Sequence, residues 1–126
     1  MSIVAPRSAV PQTTIVQVVA VPQPDGQGYA IRSFPERIMV DSNDAVLIFQ
    51  LVEPTPDDVG FLPPTITPPG QDQFSTLAIS RDGKRLIMSD LDSVAGIYHL
   101  LLRVQDSAGT IASHDPEVVN RPDTVA

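Results

Sequence analysis

The sequence predicts an all-β domain, a sandwich of about seven short strands that is immunoglobulin-like in a loose sense. Three observations predict it. Thirteen prolines are spread over 126 residues, and a proline inside a helix removes a hydrogen bond and clashes with the preceding turn. Apolar residues recur at period two, most clearly over Tyr98–Gln105, which is the repeat of a half-buried strand. Turn residues separate the apolar stretches at intervals that suit an all-β domain.

The elements follow in order. Residues 1–12 hold Pro6 and Pro11 and no periodic pattern, and read as a flexible N-terminus. Thr13–Val21 is rich in β-branched residues and apolar on both faces, which suits a central strand or one covered by another subunit. Asp25-Gly26 marks a turn. Tyr29–Phe34 and Arg37–Val40 are short strands parted by Pro35, and Ala45–Val52 is a strongly apolar one. Residues 53–73 are rich in proline and lack periodicity, so they read as a long loop. A strand starts at Gln73-Phe74 with Leu77 and Ile79 on one face, turns at Asp82-Gly83, and returns over Arg85–Ser89. In Tyr98–Gln105 the side chains of Tyr98, Leu100, Leu102 and Val104 share one face. A last short strand runs over Thr110–Ser113, and residues 114–126 form a C-terminal tail.

Composition narrows the function. The length corresponds to one domain over residues 1–126, large enough for a core. The absence of cysteine excludes disulfides, thiolate zinc sites and cysteine nucleophiles. Eight Lys plus Arg against fifteen Asp plus Glu leave a net charge of −7. Such a chain lacks the basic surface that binds nucleic acid or anionic membranes. The N-terminus has no apolar stretch of signal-peptide length, and no run approaches a membrane span. A cytoplasmic protein without cofactor or metal is the expectation.

The chemistry concentrates at His114-Asp115-Pro116-Glu117-Val118-Val119-Asn120-Arg121-Pro122. In an Asp-Pro link the aspartate carboxyl reaches its own backbone carbonyl through a five-membered ring. Intramolecular attack of this kind carries effective molarities on the order of 10⁵ M or more. The proline nitrogen has no hydrogen and leaves readily once protonated. The proton must come from a neighbour, or from Asp115 itself if burial raises its pKa. Alternatively, Asp115 acts as a general base on water, as in paired-carboxylate peptidases. The Asp-Thr/Ser-Gly motif of those enzymes is absent: Asp106-Ser107-Ala108-Gly109 misses it by one inserted residue and reads as a turn. His114 is adjacent but points to the other face of a strand unless the chain turns at Asp115. Asp-Pro is also a common turn starter, so the dipeptide alone is weak.

The longer segment resembles the DP-EP family of small bacterial proteins. Asp115-Pro116 is followed by the aliphatic pair Val118-Val119 and by Asn120-Arg121-Pro122, after a strand and the turn Asp106–Gly109. The resemblance implies a β-sandwich, a homo-oligomer (dimer or tetramer), and aspartic-peptidase-like cleavage of the chain's own Asp115–Pro116 bond. It also implies an assisting lysine, for which Lys84 stands as the lone lysine of the chain. In this reading Asp115 and Lys84 are catalytic. Val118, Val119, Asn120, Arg121 and Pro122 dock the C-terminal peptide, which is retained as a ligand or released. The alternative is an interaction module without activity, in which this tail adds to a sheet edge or lies in an intersubunit groove.

Other constellations are weaker. Asp41-Ser42-Asn43-Asp44 has part of a calcium-loop pattern but lacks the glycine and distal glutamate of an EF-hand, and reads as a solvated turn. Asp57-Asp58 and the pair Asp90 and Asp92 read as acidic loop residues facing water. His99 reads as a partly buried or interface histidine. Gly26, Gly28 and Gly60 form no phosphate loop, and no nucleophile elbow is present.

Overall fold

The computed structural model describes residues 12–67 and 73–122. The expected flexible N-terminus therefore lies, except for Gln12, outside the described residues, as does the end of the tail. Among the described residues there is no helix and there are ten strands: β1 (Thr13–Pro22), β2 (Tyr29–Phe34), β3 (Arg37–Val40), β4 (Ala45–Leu51), β5 (Gly60–Thr67), β6 (Phe74–Ile79), β7 (Arg85–Asp90), β8 (Gly96–Gln105), β9 (Ile111–His114) and β10 (Glu117–Asn120). They form two sheets, one in the order β2-β1-β4-β7-β6, the other β3-β10-β8-β5 with β9 also paired to β8. Both are mixed, since β1 runs parallel to β4 and β10 parallel to β3.

The period-two pattern explains the packing. Alternate residues of each inner strand point between the sheets: Val16, Val18 and Ala20 of β1, Leu47 and Phe49 of β4, and Leu100, Leu102 and Val104 of β8 are all fully buried. Fully burying a valine, leucine or phenylalanine side chain contributes roughly 1.5–3 kcal/mol. Phe74 of one sheet meets Tyr98 of the other edge to face, with ring centroids 5.0 Å apart.

Three expectations are corrected. The proline-rich stretch 53–73 is not one loop: its middle forms β5, paired antiparallel to β8. Prolines are tolerated there because β5 is an edge strand. The register slips between Leu62 and Thr65, at Pro63-Pro64, which have no N–H to give. The Arg103 guanidinium donates to the freed Pro63 carbonyl instead (2.8 Å). Leu77 and Ile79 do not share an environment, because a register shift between Thr76 and Ala78 leaves Leu77 57% exposed while Ile79 packs on the core. Finally, residues 117–120 are not a free tail. They form β10, an interior strand with β3 on one side and β8 on the other, and Val118 is fully buried.

Candidate functional site

β9 and β10 are one strand interrupted by two residues. His114 faces Leu102 of β8 and Glu117 faces His99, so both segments keep a single alignment along β8. Asp115 and Pro116 occupy the gap. Pro116 donates no hydrogen bond, but its carbonyl accepts the Leu100 N–H (3.0 Å). On the far side, the chain crossing from β2 to β3 lies against the link, and the Glu117 N–H donates to the Glu36 carbonyl (3.2 Å). The strand is thus held on both flanks of the Asp-Pro bond.

Side chains alternate across this gap without a turn. His114, Pro116, Val118 and Asn120 face inward, while Asp115 faces solvent. Among the described residues no hydrogen bond or ion pair holds the Asp115 carboxylate. His114 therefore stays on the face opposite Asp115. Its Nε2 lies 2.8 Å from Glu36 Oε2 and 3.2 Å from Ser33 Oγ. Both partners use one ring nitrogen, so the trio is not a Ser-His-acid relay, in which the acid holds the other nitrogen. Burial works against ionisation of Glu36, but hydrogen bonds from the Ser33 N–H and His114 outweigh it and hold the carboxyl below its ordinary range.

Lys84 is placed elsewhere. Gly83 packs backbone to backbone on Gly60, at a φ of 75°. That contact sets Lys84 beside the segment before β5, where its ammonium donates to the carbonyls of Pro56 (3.0 Å) and Val59. Gly60 pairs with Gln105, whereas Asp115 lies opposite Leu101, roughly 13 Å further along β8 at about 3.3 Å per residue. The chain does not bring Lys84 and Asp115 together. On β8 the polar side chains that share Asp115's face are those of His99 and Arg103, the diagonal neighbours of Leu101, and along its own strand Ser113 and Glu117 share that face too. Diagonal neighbours are about 7–8 Å away. His99, read from the sequence as a partly buried or interface histidine, is exposed in the single chain.

The remaining motif residues serve the strand. Asn120 is buried, and its Nδ2 donates to Asp90 Oδ1 (2.9 Å). The Arg121 N–H donates to the Val40 carbonyl (2.8 Å), and its guanidinium pairs with Asp41 at 2.6 Å. Pro122 follows at the last described position.

Asp90 and Asp92 overturn their reading as solvated loop acids: both are fully buried. Burial above all pushes Asp90 up to about 6, against the hydrogen bonds from Asn120 and the Asp92 N–H. Asp92 is raised to about 7, by burial first and then by the charges of Asp90 and Asp41, with Arg121 opposing. Parity carried a signal for Asp90 and for its partner Asn120. In β7, Leu86 and Met88 face inward, so Asp90 must too, and Asn120 follows Val118 in β10 by the same rule. Asn120 is four residues beyond Pro116, roughly 13 Å along the strand, so these acids are not at the Asp-Pro bond.

A two-sheet β-sandwich with a proline-interrupted interior strand near its C-terminus is the class of protein these features define. A family model described as the DP-EP family matches residues 12–122, nearly the whole chain, and the chain belongs to that family. A search of curated proteins finds no match. Among the described residues no helix is long and apolar enough to cross a membrane.

Proposed function

We propose that the protein cuts its own Asp115–Pro116 bond and keeps the C-terminal peptide in place as β10. One observation carries the reading: Asp115 presents an exposed carboxylate, unpartnered among the described residues, at a joint where the strand is held on both flanks. An Asp115 carboxylate oxygen attacks the carbonyl carbon of residue 115. The bond to the Pro116 nitrogen breaks, and that nitrogen leaves as a secondary amine after taking one proton. Water then opens the cyclic anhydride, giving fragments 1–115 and 116–126. The proton comes from solvent or from His99, the imidazole on the same face. Lys84 assists only if a neighbouring copy supplies it, because its own chain commits it to Pro56 and Val59. Backbone pairing to β3 and β8 and the burial of Val118 support retention over release.

The test is intact-mass spectrometry of aged protein at neutral pH. The expected result is a fragment ending at Asp115 that still co-elutes with residues 116–126 on native sizing chromatography, and no cleavage in Asp115→Asn. A single full-length mass after long incubation overturns the proposal.

A second feature favours self-association. The outer face of β1 and β2 exposes Ile15, Val21 and Phe34 (58%, 41% and 53%), the last two lining an open apolar depression of about 420 Å³. A second copy of this chain is the occupant we assign to it, in line with the apolar two-faced pattern of β1. Light scattering tests this: Phe34→Glu reduces the molar mass to that of a monomer, and a wild-type protein that is already monomeric sinks it.

A further inference from the structure

Among the described residues, the buried side-chain nitrogens and oxygens without a hydrogen-bond partner are Asn43 Oδ1, Asp90 Oδ2, both carboxylate oxygens of Asp92, and Asn120 Oδ1. All are oxygens, and all sit where three segments meet. The Asp44 N–H donates to the Leu91 carbonyl (3.1 Å), which lays Asn43 beside Asp90–Asp92. The Asn120 amide is fixed against Asp90 through its Nδ2, so its own oxygen is left beside that carboxylate. Asn120 is only 2% exposed.

From this geometry we infer that Asn43, Asp90, Asp92 and Asn120 form a binding site for a calcium-sized divalent cation. The donor set is all oxygen, which suits a hard cation. It offers five side-chain oxygens, with Asp92 able to bind through two, and calcium takes six to eight, completed by carbonyls or water. Magnesium fits less well, because it keeps several waters and demands a strict octahedron. Two carboxylates supply the charge that one divalent ion balances. The nearby cation, Arg121, is already committed to Asp41. No group of three or more His, Cys, Asp or Glu is placed to hold a metal among the described residues; here asparagine amides complete the set, a role they commonly fill for calcium. The loop is preformed: Gln73 Oε1 accepts the Ser93 and Val94 N–H groups, and Asp92 is held at a φ of 51°.

The site is independent of peptide-bond cleavage, and its test does not use cleavage as a readout. Thermal melts of the full chain, stripped with chelator and then titrated with calcium chloride, are expected to show a saturable rise in Tm. Asp92→Asn removes one buried charge at nearly constant shape. It is expected to melt higher than the stripped wild type and to lose the calcium response. Asn43→Ala, at the half-buried edge of the site, is expected to weaken calcium binding at least tenfold in titration calorimetry. No Tm change of the wild type at millimolar calcium overturns the site, as does an unchanged response in both variants. An equal response to magnesium overturns the calcium-sized assignment.

Discussion

Asp115 and Asp92 are the same side chain in opposite settings. Asp115 is exposed and, among the described residues, unpartnered, and its interest comes from a covalent neighbour, the proline that follows it. Asp92 is fully buried and, among the described residues, its carboxylate is also unpartnered; its interest comes from through-space neighbours, Asp90 two residues before it and the sequence-distant Asp41 and Arg121. Solvent satisfies the first carboxylate, so the fold tolerates it without compensation. The second is deprived of water, and each orphaned buried group of this kind costs about 1–3 kcal/mol or more if charged. Reactivity at one site is local chemistry; at the other it is a product of packing.

The contrast can be broken at several points. The largest effect is expected from removing β10. A chain ending at Asp115 lacks an interior strand and the buried Val118, and should show no cooperative melt by circular dichroism, whereas the nicked protein with its peptide retained should melt cooperatively. Val118→Asp should approach the same loss, since it buries an unpaired charge at a cost of several kcal/mol. A native-like melt of either variant would show that β10 is dispensable.

Next comes Asn120→Ala, which removes the donor to Asp90 Oδ1. Hydrogen bonds to charged groups contribute about 1.5–3 kcal/mol, and urea denaturation without calcium should register a loss of that order. Lys84→Met should cost a similar amount, because two carbonyls lose their donor, while leaving any self-cleavage rate unchanged. A cleavage rate that falls in this variant would restore the lysine as an assistant.

Asp115→Asn sits at the other extreme. An exposed side chain without partners should change stability by no more than about 0.5 kcal/mol, even as it abolishes cleavage. A larger change in the urea midpoint would mean that Asp115 has a structural partner.

A comparably small effect concerns Glu36. Its folded pKa lies below the unfolded value near ~4.3, so the folded state binds fewer protons. The stabilisation is present above that unfolded value and is lost as pH falls through the lowered folded pKa. The group is more than half exposed, and screening limits the contribution to less than about 1 kcal/mol. Glu36→Gln should flatten the acid limb of a stability–pH curve, and an unaltered limb would remove the pair with His114 from the account.

What the sequence determined by itself is whatever depends on near neighbours. β8 is legible because Tyr98, Leu100, Leu102 and Val104 repeat at period two, and that repeat is a property of the extended backbone. The Asp115–Pro116 link is legible because its chemistry is covalent. Pairing order was decided only by the tertiary structure. Nothing local in Gly60–Thr67 announces a strand, since an edge position and the Arg103 guanidinium are what make Pro63 and Pro64 acceptable there. Nothing local in Val118–Asn120 distinguishes an interior strand from a docking tail. The burial of Asp90 and Asp92 likewise depends on Asn43, Gln73 and Asn120 converging from distant segments. Strand parity reveals which way a side chain points, but whether water or another sheet waits there depends on the partner strands.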